Sequence, residues 1–318
     1  GTIQAADSNS IDGLTYSSAG RPLDGFTIDA NGNWNLDTTG IAFQRIAKDE
    51  ITTFTTYIAA TDSKGASSIQ ELAFNILGFN DAPEATYTTD LSVLEGASDA
   101  SGNALLLSGQ LSATDVDTDA SGLTYTLVAD ASGNTVDASG NAFSIDGLSL
   151  DSDGSFTFDP TNSAYNYLSD GATERITVNY QVADDESGTS SVESFDITVI
   201  GTNDGPTATY DASGLAVTEG GSSLSGQLTS TDIDKKAADG SLDANGDPNP
   251  ETATYSLIGD PIDGLTINAD GSWEFDPTDD AYNSLAAGET QVITVNYQVA
   301  DSGELTDTNS FSIEVKGT

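Results

Sequence analysis

The chain has 318 residues, of which 51 are Asp or Glu and 8 are Lys or Arg, so its formal net charge is -43 at pH 7. This excess of negative charge excludes binding to nucleic acid or to an anionic membrane surface, and it calls for bound cations or strong salt screening. Cys, His and Met are all absent, which excludes disulfides, histidine metal ligands and Cys or His nucleophiles.

Three segments share a pattern of alternating apolar and polar residues around an Asn-Gly or Asp-Gly dipeptide. Alternation is typical of strands with one buried face, and these dipeptides are the strongest short signal for a hairpin. The predicted hairpins are Leu23–Asp37, Ile145–Asp159 and Ile262–Asp276. A longer alternating strand follows each of them, at Ile51–Asp62, Ile176–Asp184 and Ile293–Asp301. Repetition at this length indicates an array of like modules.

A short polar segment closes the first two repeats. We call Gly78–Pro83 the first joint and Gly201–Pro206 the second joint; each carries Asn-Asp and ends on Pro. Because Pro cannot continue a strand ladder, a recurring segment of this kind marks a boundary between modules. The predicted modules are 1–81, 82–204 and 205–318.

The second and third modules open with an extra strand that the first module lacks. This strand is Leu91–Gly96 in one and Leu215–Gly220 in the other, whereas Gly1–Gln4 aligns one strand later, with Gly109–Leu111. Either the sequence starts inside a module, or the first strand lies upstream of an insertion. Many short strands, Gly and Asp turns and no helical period predict an all-β fold of tandem Ig-like β-sandwich modules joined end to end.

The pattern Ser112–Asp117, followed by Gln181-Val182-Ala183-Asp184, a closing strand and Gly-Thr-Asn-Asp-x-Pro, resembles VCBS and bacterial cadherin-like repeats. Such repeats are strung together in giant secreted adhesins of the RTX type. The resemblance covers all three segments, although the first lacks its opening strand. It implies cadherin-like sandwiches, Ca²⁺ as the bound ion and an extracellular location at a bacterial cell surface.

The resemblance also implies which residues hold calcium. Cadherin-like domains combine a Glu near the end of the first strand, an Asn-Asp linker and an Asp-x-Asp pair from the following domain, and these oxygens suit Ca²⁺. At the second joint the matching residues are Glu95, Asn203, Asp204, Asp232 and Asp234. At the first joint they are Asn80, Asp81, Asp115 and Asp117, with no first-strand Glu.

One part of the cadherin pattern is missing. Cadherins carry an acidic Leu-Asp-Arg-Glu box before the position of Asp184, whereas this chain has Leu168-Ser169-Asp170-Gly171. Asp170, and Asp49 in the first module, are the available substitutes, each displaced by one residue. We therefore expect each joint to bind fewer calcium ions than a joint of animal cadherins, or to bind them more weakly.

Further residues match joints outside the sequence. Asp7 and Asn9 align with the Asp-x-Asp pair of an upstream joint, and Glu219 aligns with the Glu of a joint after Thr318. The alternative for all these residues is that Asp and Asn side chains cap turns through the backbone. The number of aligned oxygens favours calcium.

A second acidic loop runs from Asp239 to Asn249. Asp243-x-Asn245-x-Asp247 imitates the start of an EF-hand loop, but Pro248 stands where that loop needs Gly. The pattern therefore favours a surface loop over an ion site.

The two Trp residues, Trp34 and Trp273, occupy equivalent inward-facing positions, so core packing is favoured over a sugar-binding platform. No phosphate loop or nucleophile elbow occurs, and no catalytic carboxylate pair stands out, so no enzyme is expected. No apolar run reaches the roughly 18 residues of a membrane span.

Together these features favour a calcium-rigidified spacer that holds a distal ligand-binding domain of a bacterial adhesin away from the cell. The alternative is a calcium-dependent carbohydrate- or protein-binding adhesin module. The expected partners are neighbouring modules of the same adhesin, with glycan or protein ligands bound through other domains. The chain itself is expected to be a monomer.

Overall fold

The structure is a computed structural model that describes residues 1–8, 13–136, 140–234 and 252–318. Asn9 and the acidic loop from Asp239 to Asn249 lie outside the described residues. The described chain is nearly all β, as predicted, and its strands form three successive sets that we call the first, second and third repeat.

The first repeat contains five strands and one short helix. They are β1 (Thr15–Ala19), β2 (Phe26–Ile28), β3 (Trp34–Leu36), α1 (Ile41–Gln44), β4 (Ile51–Thr61) and β5 (Ser67–Leu77). One sheet has the order β1-β4-β5, and β2 pairs with β3 in the predicted hairpin. The rings of Phe26, Trp34 and Phe74 pack together between these elements.

The second repeat has two main sheets and an edge pair. Its strands are β6 (Glu84–Ala85), β7 (Leu91–Leu94), β8 (Leu107–Gln110), β9 (Ala113–Thr114), β10 (Thr124–Val128), β11 (Leu148–Leu150), β12 (Ser155–Phe158), β13 (Thr173–Ala183) and β14 (Glu193–Ile200), with a 3₁₀ turn at Ala120–Gly122. The sheets have the orders β10-β13-β14-β7 and β11-β12-β8, and β6 pairs with β9. Side chains from both main sheets, including Phe156, Tyr180 and Ile197, form one buried cluster between them.

The third repeat has the same layout. Its strands are β15 (Thr207–Ala208), β16 (Leu215–Thr218), β17 (Leu224–Gln227), β18 (Ser230–Thr231), β19 (Thr254–Leu257), β20 (Leu265–Ile267), β21 (Ser272–Phe275), β22 (Thr290–Ala300) and β23 (Thr306–Lys316). The sheets have the orders β16-β23-β22-β19 and β17-β21-β20. Trp273 is 2% exposed within the core cluster, which confirms the packing interpretation for this residue.

A glycine lies opposite an aromatic ring in every repeat. The pairs are Gly1 with Trp34, Gly109 with Phe156 and Gly226 with Trp273. A Cβ at Gly226 would lie 2.7 Å from the Trp273 ring, so the side chain must be absent for the ring to cross the neighbouring strand. The shared pairing confirms that Gly1 aligns with Gly109.

The opening strand of the second and third repeats positions a glutamate beside the end of that repeat. β7 runs parallel to β14, and β16 runs parallel to β23. This pairing continues as Glu95 N–H donates to Ile200 O and Glu219 N–H donates to Lys316 O. Each glutamate is therefore held next to the segment that leaves the last strand.

Candidate metal centres at the two joints

The second joint connects β14 to β15. The side chain of Asn203 donates from Nδ2 to Asp301 Oδ2 at 3.0 Å, and the backbone N–H of Asp204 donates to Asp234 Oδ2 at 2.9 Å. The backbone N–H of Asp234 donates in turn to Asp232 Oδ1 at 3.0 Å. The linker thus contacts carboxylates of the third repeat, including the predicted Asp-x-Asp pair.

Glu95 reaches the second joint from the second repeat. Its side chain is buried, the residue being 3% exposed, and Oε2 accepts the backbone N–H of Thr202 at 3.3 Å. Burial is the main cause that raises the pKa of Glu95 to about 7, and the nearby carboxylates of Asp204 and Asp234 raise it further. Burial, followed by the charge of Asp232, also raises the pKa of Asp204. The second joint therefore brings carboxyl groups together in a buried environment, where their ionised forms are disfavoured.

Two oxygen atoms of the second linker are buried without a hydrogen-bond donor: Asn203 Oδ1 and Asp204 Oδ2. Buried polar atoms in proteins almost always have a partner. Carboxylate and amide oxygens are ligands for hard cations such as Ca²⁺, and softer metals prefer nitrogen or sulfur. The donor set of the second joint therefore fits a calcium ion.

The first joint repeats this arrangement with other residues. Asn80 Nδ2 donates to Asp184 Oδ2 at 2.8 Å, and the backbone N–H of Asp81 donates to Asp117 Oδ2 at 3.3 Å. Asp115 Oδ1 accepts the backbone N–H of Asp117 at 3.0 Å. Burial, then contact with Asp115, raises the pKa of Asp117 to about 6. The oxygens buried here without a donor are Asn80 Oδ1, Asp115 Oδ2 and Asp117 Oδ1.

A salt bridge crosses the first joint. Lys48 Nζ, in the loop after α1, lies 2.8 Å from Glu186 Oε2, in the loop after β13. Both side chains are partly exposed, at 42% and 47%. The first and second repeats are therefore tied by a direct ion pair as well as by the linker.

The position of Lys48 in its repeat is the position of Asp170 in the next. The carbonyl of Ala47 lies against Gly78 as the carbonyl of Ser169 lies against Gly201, so the residues that follow them are equivalent. Asp170 is exposed. The backbone N–H of the next residue, Gly171, donates to the carbonyl of Gly201, the first residue of the second joint, at 3.1 Å.

Asp184 and Asp301 are site residues that the sequence analysis did not select. The two oxygens of each carboxylate have different partners. Oδ1 accepts hydrogen bonds from the backbone of the following turn, and Oδ2 accepts a hydrogen bond from the side-chain amide of the linker Asn. The sequence signal that could have identified them is the Asp that follows the long strand in every repeat. In the first repeat Asp62 caps its turn in the same way.

Glu219 repeats the environment of Glu95 at the end of the third repeat. Its Oε1 accepts the backbone N–H and the hydroxyl of Thr318, at 2.9 and 3.0 Å, and its Oε2 is buried without a donor. In both the second and the third repeat, the glutamate after the opening strand therefore accepts a backbone hydrogen bond from the segment that follows the last strand.

The donors at the joints are separate oxygens and do not form an acidic cage. Within residues 1–8, 13–136, 140–234 and 252–318, no three His, Cys, Asp or Glu side chains are grouped closely enough to hold a metal ion by themselves. In the same part of the chain, no helix has the length and apolar character needed to cross a membrane.

No protein-family model matches the sequence, and no curated protein matches it. Solved structures do match. The chain is similar to mouse cadherin-23 EC22-24, with 13% identity, a TM-score of 0.52 and coverage of 100% of this chain and 90% of that one. It is also similar to protocadherin gammaB7 EC3-6 in its cis-dimer structure, with 14% identity, a TM-score of 0.51 and coverage of 98% and 67%. The fold is therefore that of tandem cadherin-like β-sandwich domains.

Proposed function

We propose that this chain is a calcium-rigidified extender of a bacterial cell-surface adhesin, in which modules divided after Asp81 and Asp204 hold a distal ligand-binding domain away from the cell. The observation that carries the proposal is the burial of Asn203 Oδ1 and Asp204 Oδ2 without a hydrogen-bond donor. The equivalent linker atom of the first joint, Asn80 Oδ1, is also buried without a donor, and this recurrence supports the proposal because buried polar atoms almost always have a partner.

The residues proposed to hold calcium at the second joint come from both sides of it. Glu95 belongs to the second repeat, Asn203 and Asp204 to the linker, and Asp232 and Asp234 to the third repeat. When bound, Ca²⁺ neutralises these carboxylates and ties the end of one module to the start of the next. The side chain of Asp301 orients Asn203 by accepting its amide hydrogen, which leaves Oδ1 as a donor for the ion.

The first joint is proposed to hold calcium through Asn80, Asp81, Asp115 and Asp117, with Asp184 in the orienting role. Asp170, an exposed residue, completes the proposed set at the second joint.

The extender role rests on the shortness of the joints and on charge. The second linker places six residues between β14 and β15, so a cation bound there restricts the angle between two sandwiches. A net charge of -43 makes the cation-free chain self-repelling. The VCBS and RTX resemblance and the cadherin-like fold support an extracellular adhesin with neighbouring modules as partners.

Calcium titration of the full chain tests the proposal, with thermal unfolding and small-angle scattering as readouts. Calcium is expected to raise the melting temperature and narrow the spread of molecular dimensions, and magnesium is expected to do less because it requires a tighter octahedral cage. Identical melting curves and scattering in calcium and in chelator would reject the proposal.

A charge-matched pair of variants separates site binding from screening. Replacing Asp204, Asp232 and Asp234 by Ala removes proposed ligands. Replacing Asp211, Asp260 and Glu274 by Ala removes the same charge from exposed positions of the third repeat. The first variant is expected to lose calcium-dependent ordering of the second joint with its modules still folded, and the second variant is expected to respond as wild type. Equal loss in both variants would mean that calcium acts by general screening.

A further inference from the structure

A five-residue turn follows the long strand of every repeat. The turns are Asp62–Ala66, Asp184–Gly188 and Asp301–Leu305, and in each the backbone N–H of the Asp donates to the carbonyl of the fifth residue. Oδ2 of Asp184 accepts the side-chain amide of the first linker, and Oδ2 of Asp301 accepts that of the second. We call these two the receiving turns. Because the closing hydrogen bond is the same in all three turns, their residues can be compared position by position.

The backbone of the turn takes a left-handed conformation at its fourth position. In the first repeat this residue is Gly65, with a φ of 89°, and glycine adopts such a value without strain. In the receiving turns the fourth residue is Ser187 or Glu304, with φ of 73° and 69°. Both receiving turns therefore have a side chain at the position where the backbone favours glycine.

Each receiving turn has its glycine at a position where the backbone does not favour it. Gly188 is the fifth residue of its turn, and Gly303 is the third residue of its own. The φ of neither glycine lies in the left-handed region. Residues with side chains adopt such φ values, so the consequence of a side chain at these positions depends on the neighbouring atoms.

The side-chain amide of the linker Asn fills the space beside each glycine. A Cβ at Gly303 would lie 2.5–2.6 Å from Cγ, Oδ1 and Nδ2 of Asn203. A Cβ at Gly188 would lie 2.5 Å from Nδ2 of Asn80 and also too close to Oδ2 of Asp184. Non-bonded carbon atoms in good contact are about 3.5–4.0 Å apart, so a methyl group at either glycine would displace the Asn amide from its Asp partner.

The remaining position of each receiving turn carries a side chain that contacts a preceding part of the chain. Glu186, the third residue of its turn, forms the ion pair with Lys48 of the first repeat. Leu305, the fifth residue of its turn, lies against Gly205 of the second linker, where a Cβ would be 3.5 Å from Leu305. The third and fifth positions therefore exchange roles between the two joints, although both turns bring the linker Asn to the equivalent carboxylate oxygen.

We propose that Gly188 and Gly303 are positioning residues of the joints, each of which leaves the space that the linker Asn needs to reach the Asp of the receiving turn. The inference rests on the proposed function, because Oδ1 of the Asn held in this way is a proposed calcium ligand. A side chain at the fifth position of the turn excludes the arrangement of the first joint, and a side chain at the third position excludes that of the second. The place of the glycine therefore determines which linker arrangement a receiving turn accepts.

Gly303→Ala in the full chain tests the inference without removing a proposed ligand or a charge. Spin labels on Ser149→Cys and Ser225→Cys, at exposed strand positions on the two sides of the second joint, report its calcium-dependent ordering. The calcium concentration at half-ordering is expected to rise about 10- to 100-fold, as metal affinity falls when an outer contact of a ligand is lost. Gly188→Ala is expected to have no effect at the second joint.

Gly205→Ala is the matched control at the second joint. A Cβ at Gly205 would meet Leu305 at ordinary contact distances of 3.5 and 3.9 Å, and the first joint carries Ala82 at the same position. This variant is expected to retain the calcium midpoint of wild type. An equal shift in Gly205→Ala and Gly303→Ala would mean that any added methyl group disturbs the joint, and it would overturn the specific role of Gly303.

A double-mutant cycle with Asn203→Ala separates positioning from damage to the turn. Asn203→Ala removes the three atoms that a Cβ at Gly303 would approach most closely. Adding Gly303→Ala to this variant is therefore expected to cause no further loss of calcium affinity. A further shift as large as that in the wild-type background would mean that the methyl group damages the turn itself, which would overturn the inference.

A readout in chelator distinguishes failure of this inference from failure of the proposed function. The side-chain amide protons of Asn203 exchange slowly with solvent while Nδ2 donates to Asp301, and Gly303→Ala is expected to accelerate this exchange, measured by NMR. A Gly303→Ala chain with the exchange rate and calcium midpoint of wild type would overturn the inference alone. A wild-type chain that does not respond to calcium would reject the proposed function instead, and the exchange in chelator would still decide the role of Gly303.

Discussion

The two joints have the same Asn-Asp linker but differ in the charges around it. At the second joint burial raises the pKa of the Glu95 carboxylate, and the nearby carboxylates of Asp204 and Asp234 raise it further. At the first joint Lys48 forms an ion pair with Glu186. The charge of a lysine is covalently attached to the chain and is always present. The occupancy of a metal site, by contrast, depends on the concentration of the metal ion.

The two joints share a linker sequence but need not depend equally on a metal ion. In the part of the chain that the structure describes, the side chain of Lys48 is a cation at the first joint, so part of the negative charge there is already neutralised. The second joint has an additional buried acid and an Asp170 where the first has Lys48. We therefore expect the second joint to depend more steeply on calcium than the first.

The largest expected effect is the loss of a calcium site by triple substitution. An ion held at 100 times its dissociation constant contributes about 2.7 kcal/mol. Replacing Asp204, Asp232 and Asp234 by Ala is expected to remove more calcium-linked stability than replacing Asp81, Asp115 and Asp117 by Ala. Calorimetry of both variants in calcium and in chelator measures the difference. An equal loss of calcium-linked stability in the two variants would contradict the expected difference between the joints.

Next in size is Glu95→Gln, whose effect is expected to change sign with calcium. In chelator at pH 8 the substitution removes a buried charge and should stabilise the protein by roughly 1–3 kcal/mol. In calcium it removes a ligand and should weaken binding. Denaturant unfolding in the two conditions measures both signs.

Glu219→Gln is the matched control for Glu95→Gln. Glu219 contacts Thr318 much as Glu95 contacts Thr202, but it lies outside the second joint. Calcium affinity of the second joint should be unchanged in this variant. If Glu95→Gln had the same sign in calcium and in chelator, Glu95 would be no ligand.

The pH dependence in chelator should differ between the joints. Folding raises the pKa of Asp117 from 3.8 to about 6 and that of Glu95 from 4.5 to about 7. The folded state then holds these protons more tightly than the unfolded state, so their stabilising contribution is full at low pH and is lost as pH rises through these ranges. The loss ends near pH 6 for Asp117 and near pH 7 for Glu95.

Differences from variants isolate these two groups. Exposed acids such as Asp29, whose pKa is lowered mainly by a hydrogen bond from Asn33, contribute in the opposite direction. Unfolding free energies of wild type minus Asp117→Asn and wild type minus Glu95→Gln remove that background. Flat differences between pH 4 and pH 8 would contradict the proposed environments.

The smallest expected effect is that of Lys48→Gln. The Lys48–Glu186 ion pair is exposed to solvent, so global stability should hardly change. The variant should instead make the first joint more dependent on calcium, approaching the second. Lys64→Gln, at an exposed turn of the same repeat, is the control. No change in calcium dependence would mean that the Lys48–Glu186 pair does not stabilise the joint.

The hairpins, the repeat order and the missing opening strand follow from the sequence because alternation and turn residues are local signals. The contacts of Asn203 and Asp204 with the following repeat agree with the expected linker geometry. Asp301 was missed because an Asp after a strand reads as a turn cap, and its Oδ1 does cap the turn. Its second oxygen, Oδ2, accepts a hydrogen bond from Asn203, and this contact exists only when the linker packs against the third repeat.

Other features depend on tertiary structure alone. Lys48 and Glu186 are far apart in sequence and lie in loops of different repeats, so no periodicity links them. The pKa of Glu95 depends on burial and on the carboxylates of Asp204 in the linker and Asp234 in the third repeat.

A bound cation is expected to order both joints, and the second joint more than the first. The chain contains no Cys, so pairs of spin-labelled cysteines report on one joint at a time. Thr27 with Ser108 span the first joint and Ser149 with Ser225 span the second, all at exposed strand positions. Calcium is expected to narrow the distance distribution across the second joint strongly and across the first joint less. Distributions that are the same in calcium and in chelator at both joints would contradict the account.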